Sequence, residues 1–126
     1  MSYDWIGEYC LQKPGVTKDY QPEWKATRYF AGGKMFAMQG GDKDGKPIFT
    51  MKLEPALGDF LRHQHPGDIV PGYYMNKIHW NSLYLEGNVP EETVREMIDK
   101  AYEAGLAALP KKKRLEIEGE SYADRF

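Results

Sequence analysis

The chain has 126 residues, 41% of them hydrophobic, with 17 Lys and Arg against 19 Asp and Glu for a formal net charge of -2; this length supports one domain with one core and needs no disulfide or metal staple. A pI near 5.9 and a mean hydropathy of -0.68 exclude a uniformly basic nucleic-acid binder, and no window approaches the roughly 18 consecutive apolar residues of a membrane span. Cys10, the one cysteine, has no partner for an internal disulfide, and the polar Ser2, Tyr3 and Asp4 follow Met1, so a cytoplasmic location is expected.

Ile6, Tyr9, Cys10 and Lys13 recur at i, i+3, i+4 and i+7, with Ser2 as a cap and Pro14-Gly15 as a stop, which predicts a short amphipathic helix over 3–13. Tyr20-Gln21-Pro22 reads as a turn region. Gly32-Gly33, two residues that tolerate positive φ, join strands expected over 26–31 and 34–39 in a tight hairpin. The glycine-rich run Gly40 to Gly45 leads into a third strand over 48–53, where Phe49, Met51 and Leu53 alternate with Ile48, Thr50 and Lys52.

Glu54-Pro55 opens a helix with Leu57, Phe60 and Leu61 on its apolar stripe, and Pro66-Gly67 ends it. A strand follows over 78–86, placing His79, Asn81, Leu83 and Leu85 on one face and Trp80, Ser82 and Tyr84 on the other. Val94, Met97, Ile98, Ala101, Tyr102, Gly105, Leu106 and Leu109 then keep helical spacing, with Pro90, Glu91 and Glu92 in the first turn and Pro110 as the stop. Residues 111–126, led by Lys111-Lys112-Lys113-Arg114, bury little and read as a charged C-terminal tail of reduced order behind a single domain over 1–110. The order α-β-β-β-α-β-α predicts an α+β two-layer sandwich, an antiparallel sheet with helices packed on one face.

Charge is unevenly spread. Residues 25–53 carry Lys25, Arg28, Lys34, Lys43, Lys46 and Lys52 against Asp42 and Asp44, a balance of +4, while residues 86–109 carry a balance of -4. Such a dipolar chain can still favour an anion on one face. The segment Pro71-Gly72-Tyr73-Tyr74-Met75-Asn76-Lys77-Ile78-His79-Trp80 packs rings, an amide, an ammonium and an imidazole into ten residues, a composition unlike a repeating core element.

That segment, with Tyr9-Cys10 before Lys13-Pro14-Gly15, Gly33-Lys34-Met35-Phe36-Ala37, Met51-Lys52-Leu53-Glu54-Pro55, and Pro90-Glu91-Glu92 with Tyr102, resembles the MmcQ/YjbR family of small bacterial proteins. The resemblance spans residues 5–109. It departs at Tyr74, where the family often carries His, and at Ala101, where it often carries Ser. It implies a compact fold similar to the CyaY-like or secretion-chaperone-like arrangement and a double-wing DNA-binding element built from strands and loops, and it implies no catalytic residues.

On this basis weak, shape-driven DNA binding is expected through Arg28, Lys34, Lys52, Asn76, Lys77 and His79, with Tyr73, Tyr74 and Trp80 as an aromatic recognition surface. The competing reading of the same residues is packing: Pro71-Gly72 turns the chain, Asn76 satisfies backbone groups and Trp80 packs under a hairpin. A protein-interaction or chaperone-like module, including a homodimer, is the alternative function, and a small-molecule pocket lined by Tyr73, Trp80 and Tyr102 is a third. His63, His65 and His79 lack the geometry of a metal site, and Leu53 stands where a calcium loop beginning at Asp42 needs a bidentate Glu. Cys10 lies on an apolar stripe, and neither Ser82 nor Thr50 sits in a nucleophile elbow, so no enzyme and no cofactor are expected.

Overall fold

The computed structural model describes residues 5–72 and 75–123. In chain order the elements are α1 (Ile6–Leu11), β1 (Val16–Gln21), β2 (Ala26–Ala31), β3 (Lys34–Gly41), β4 (Pro47–Lys52), α2 (Pro55–Gln64), β5 (Ile69–Pro71), β6 (Trp80–Tyr84), α3 (Glu91–Ala107) and α4 (Lys111–Ala123). The six strands form one sheet in the order β1-β2-β3-β4-β6-β5, antiparallel throughout, with the helices forming a second layer. The α+β two-layer arrangement is therefore the one the sequence predicts.

Three elements differ from the expected order. β1 and β5 are additional strands on the two edges of the sheet, and the segment expected as a tail over 111–126 is helical as far as Ala123. Ile117 explains the helix's position: it is only 6% exposed and packs where Gly15 and Gly32 leave room, so that a Cβ on Gly32 would meet Ile117 Cδ1 at 2.8 Å and Leu109 Cδ1 at 2.7 Å. Ile117 thus docks α4 behind its charged first turn. Gly32 and Gly33 adopt φ of 57° and 89°, the left-handed pair that a two-residue hairpin needs.

Alternation along the strands divides the side chains between two faces. Tyr29, Ala31, Phe49, Met51, Leu53 and Leu83 point to the helix layer and join Val94, Met97, Ile98, Ala101 and Tyr102 of α3 in the core. Phe36 and Ala37 are adjacent in sequence yet both fully buried in that core, because Tyr29 pairs with Ala37 while Phe30 pairs with Met35. Phe36 is thus the extra residue of a β-bulge, and every β3 position before it changes face.

The opposite face, called here the second face, carries Arg28 and Phe30, Met38 and Gly40, Ile48, Thr50 and Lys52, and Trp80, Ser82 and Tyr84, as the strand pairings require. No helix lies on it among the described residues. Even so, Met38, Ile48, Thr50, Trp80 and Ser82 are buried, so irregular chain covers this face.

Candidate functional site

A cleft of about 620 Å³ opens on the second face. Its floor is the sheet itself at Ala26, Met38, Gly40, Ile48 and Thr50, with Trp24 and Lys25 from the β1–β2 turn on one side, Asp42 and Gly45 from the β3–β4 loop on another, and Met75 above. Ala26 and Gly40 bring no long side chain to this floor and pack against each other, a Cβ on Gly40 standing 3.3 Å from the Cβ of Ala26. On the floor, the Thr50 and Ser82 hydroxyls are 2.8 Å apart, with either able to donate.

The wall is built by two turns. In the β1–β2 turn, Trp24 N–H donates to the Gln21 carbonyl and Lys25 N–H to the Pro22 carbonyl, both at 3.2 Å, and Lys25 adopts φ of 52°. A lysine in the left-handed region is uncommon and persists only where the surroundings hold it. Here it turns Trp24 over the sheet, where the Arg28 guanidinium lies 5.4 Å from the Trp24 ring and 5.2 Å from the Phe30 ring. In the β3–β4 loop, Asp42 Oδ1 accepts the N–H groups of Asp44 and Lys46 at 2.9 Å, and Oδ2 accepts the Tyr84 hydroxyl at 2.8 Å. Burial pushes the Asp42 carboxyl up, but these three bonds outweigh it and hold the group below the usual carboxylate range.

The residues singled out from the sequence are only partly brought together. Arg28 and Lys52 share the second face, but Arg28 is held by Asp19 in a forked pair, Nε to Oδ1 at 2.7 Å and Nη2 to Oδ2 at 2.5 Å. The hydrogen bonds from Arg28 lower the Asp19 pKa and raise that of Arg28 in turn. Lys34 pairs with the core-facing Ala31, so the bulge at Phe36 takes it to the helix side of the sheet, away from Arg28 and Lys52.

Asn76 and Lys77 are exposed and His79 is half-buried. Asn76 Oδ1 accepts the Ile78 N–H at 2.8 Å, and the Asn76 carbonyl accepts the Trp80 N–H at 2.9 Å, so this asparagine shapes a turn. Trp80 is 8% exposed and paired with Lys52 on the second face, whereas Tyr102 packs in the core, edge-on to Phe36 at 5.9 Å. Trp80 and Tyr102 therefore stand on opposite sides of the sheet. Tyr73 and Tyr74 lie outside the described residues. The lining residues Trp24, Met38, Gly40 and Met75 were not among those chosen from the sequence; the legible signal for them was the small pair Ala26 and Gly40 within strand-forming stretches.

The family model described as YjbR matches residues 11–104. The chain belongs to the YjbR family. YjbR of Escherichia coli K12 is 34% identical over 107 residues, covering 85% of this chain and 89% of the relative. YyaQ of Bacillus subtilis is 28% identical over 110 residues, covering 77% and 92%. Among solved structures, protein DR2400 of Deinococcus radiodurans superposes with a TM-score of 0.83 at 26% identity, covering 93% of this chain and 88% of that one. A Pseudomonas syringae protein at 19% identity and a TM-score of 0.71 shares the fold. The family match stops before α4, so the helix docked by Ile117 lies beyond it.

The residues that carry the YjbR resemblance at the N-terminal end, with Tyr9 just ahead of the matched span and Lys13 and Pro14 inside it, form a clamp between α1 and α3. Tyr9 Oη donates to Asp99 Oδ1 at 2.7 Å, Lys13 Nζ reaches the same oxygen at 2.6 Å, and Tyr102 Oη donates to the Pro14 carbonyl at 2.5 Å. Lys13 also lies over the Tyr9 and Tyr102 rings, and Arg95 over those of Trp5 and Tyr9. Burial first, then the bond to Asp99, pushes the Tyr9 hydroxyl from 10.0 up to about 12. Because the folded pKa lies above the unfolded one, the stabilisation is intact below pH 10 and is lost as pH rises through about 12. Asp99→Asn is expected to flatten that alkaline loss, which urea denaturation on either side of the window measures; an unchanged profile would remove Asp99 from the clamp.

Cys10 sits behind the clamp with no exposed surface, and burial, only partly offset by Lys13, pushes its thiol up to about 12. It is therefore expected to resist iodoacetamide in the folded chain and to react fully in denaturant, as followed by mass spectrometry. Rapid native alkylation near neutral pH would contradict this.

Proposed function

We propose that this YjbR-family chain is a non-enzymatic binding protein whose working surface is the second face of the sheet, and that the cleft there holds a neutral, largely apolar ligand. The cleft itself carries the reading: at about 620 Å³ it falls inside the range of roughly 300 to 1,000 Å³ typical of ligand pockets. Its charges give no reason for an ionic ligand. Asp42 is saturated by its own loop and Tyr84, and Glu23 and Lys25, which also line the cleft, have opposite signs. The sealed, protonated Cys10 supplies no nucleophile, which supports a binding role over a catalytic one.

Weak DNA binding is the second reading, supported by the local balance of +4 over residues 25–53, by Lys52 on the second face and by exposed Lys77. It has less support than the cleft, because Arg28 is already paired with a carboxylate and Lys34 leaves from the other side; affinity for a phosphate backbone needs several convergent cations. Titrations of the full chain with the uncharged dye Nile red and with a DNA duplex, each at low and high salt, separate the two. Nile red is expected to saturate at one site with little salt dependence. Duplex binding with a steep salt slope that Lys52→Ala plus Lys77→Ala flattens, and no dye site, would replace the cleft reading with the DNA one.

A further inference from the structure

We infer that the ligand of the second-face cleft is an uncharged, planar aromatic molecule laid against Trp24. The inference rests on the cleft being the binding site and adds the class of molecule it takes. Trp24 is 52% exposed, although it is placed by an ordered turn in which Lys25 is held at positive φ. An indole fixed at the rim of a cavity and left half in water offers a stacking surface, and Arg28 packs on the ring from the sheet.

The rest of the lining suits a ring better than a chain. Ala26, Gly40 and Gly41 bring no long side chain to the lining, which suits a flat body. Met38 and Met75 line the same space, and thioether sulfurs make favourable contacts with aromatic rings. A saturated molecule of the same outline would bury similar area with neither stacking nor sulfur contacts. An apolar cavity of about 150 Å³ suffices for benzene, so 620 Å³ accommodates a fused two- or three-ring system with substituents.

The test is calorimetric titration of the full chain with three probes that share one skeleton: 2-naphthol, its saturated counterpart decahydro-2-naphthol, and anionic 2-naphthoate. Wild type is expected to bind 2-naphthol at one site, and the saturated and anionic probes about tenfold more weakly. Trp24→Ala should weaken 2-naphthol about tenfold and leave the saturated probe nearly unchanged, while Trp24→Phe, which keeps a ring, should retain most of the affinity. Circular dichroism checks that both variants fold. Equal binding of the naphthol and its saturated counterpart would overturn the aromatic class and leave the cleft standing; so would a Trp24→Ala variant with full naphthol affinity. Failure of all three probes to bind would overturn the cleft itself, and saturable binding of 2-naphthoate alone would point to an anion site instead.

Discussion

Gly72→Ala is expected to destabilise the fold by about 2 to 3 kcal/mol, the largest effect for adding a single methyl in the 71–80 segment. A Cβ at this position would stand 2.7 Å from the Cβ of Trp80 and 3.0 Å from its carbonyl carbon and oxygen. Two of these three atoms are backbone, so the clash cannot be relieved by turning a side chain. The same contact is a hydrogen bond, Gly72 N–H to the Trp80 carbonyl at 2.7 Å, and it continues the β5–β6 ladder beyond Pro71 and Asn81. Relief therefore means opening the end of the ladder and loosening Trp80, which is buried on the second face. Urea denaturation with an unchanged slope measures the loss. A loss well under 1 kcal/mol would mean that the strand ends are not packed this closely.

Phe36→Ala is expected to be more damaging, about 3 to 5 kcal/mol. The ring is completely buried, meets Tyr102 edge-on, and lies under Gly105, where a Cβ would come within 3.3 Å of the Phe36 Cβ. α3 thus approaches β3 closely at a glycine, and removing the ring empties the space between them. Met35→Ala, one residue earlier and half-buried on the second face, should lose only about 1 kcal/mol. The contrast probes the bulge as well as the core. Were β3 to alternate regularly from Met38, Phe36 would share the second face, and its removal would empty no space under α3.

That bulge marks where reading the sequence stops. The apolar periodicity of α3, Pro55 at the first turn of α2 and the Gly32-Gly33 hairpin were legible because each is a local pattern with its own physical requirement. β1 was not: Thr17, Lys18, Asp19 and Tyr20 are all exposed, so a strand held by backbone pairing to β2 carries no alternation. β5 has three residues, one of them proline. Among the described side chains of α4, Ile117 is the one buried apolar residue among charges, which in sequence is indistinguishable from a solvated tail.

The site was less legible than the fold for the same reason. The 71–80 segment identified the family, and its described part works largely as structure: Gly72 gives close approach, Asn76 makes a turn and Trp80 packs. The cationic set was assembled on the assumption of regular alternation, which one extra residue at Phe36 breaks. The cleft depends on residues far apart in the chain, from Trp24 to Met75, that only the sheet order and the turn at Lys25 bring together.

Backbone amide chemical shifts of the full chain, recorded while 2-naphthol is added, test the location of the binding surface most directly. The expected result is a saturable set of changes centred on Trp24, Lys25, Gly40, Gly41 and Gly45, which are among the residues that line the cleft. Changes centred instead on the groove between α2 and α3 that Phe60, His65 and Met97 line, or confined to Asn76, Lys77 and Ile78, would contradict the second-face cleft as the working site.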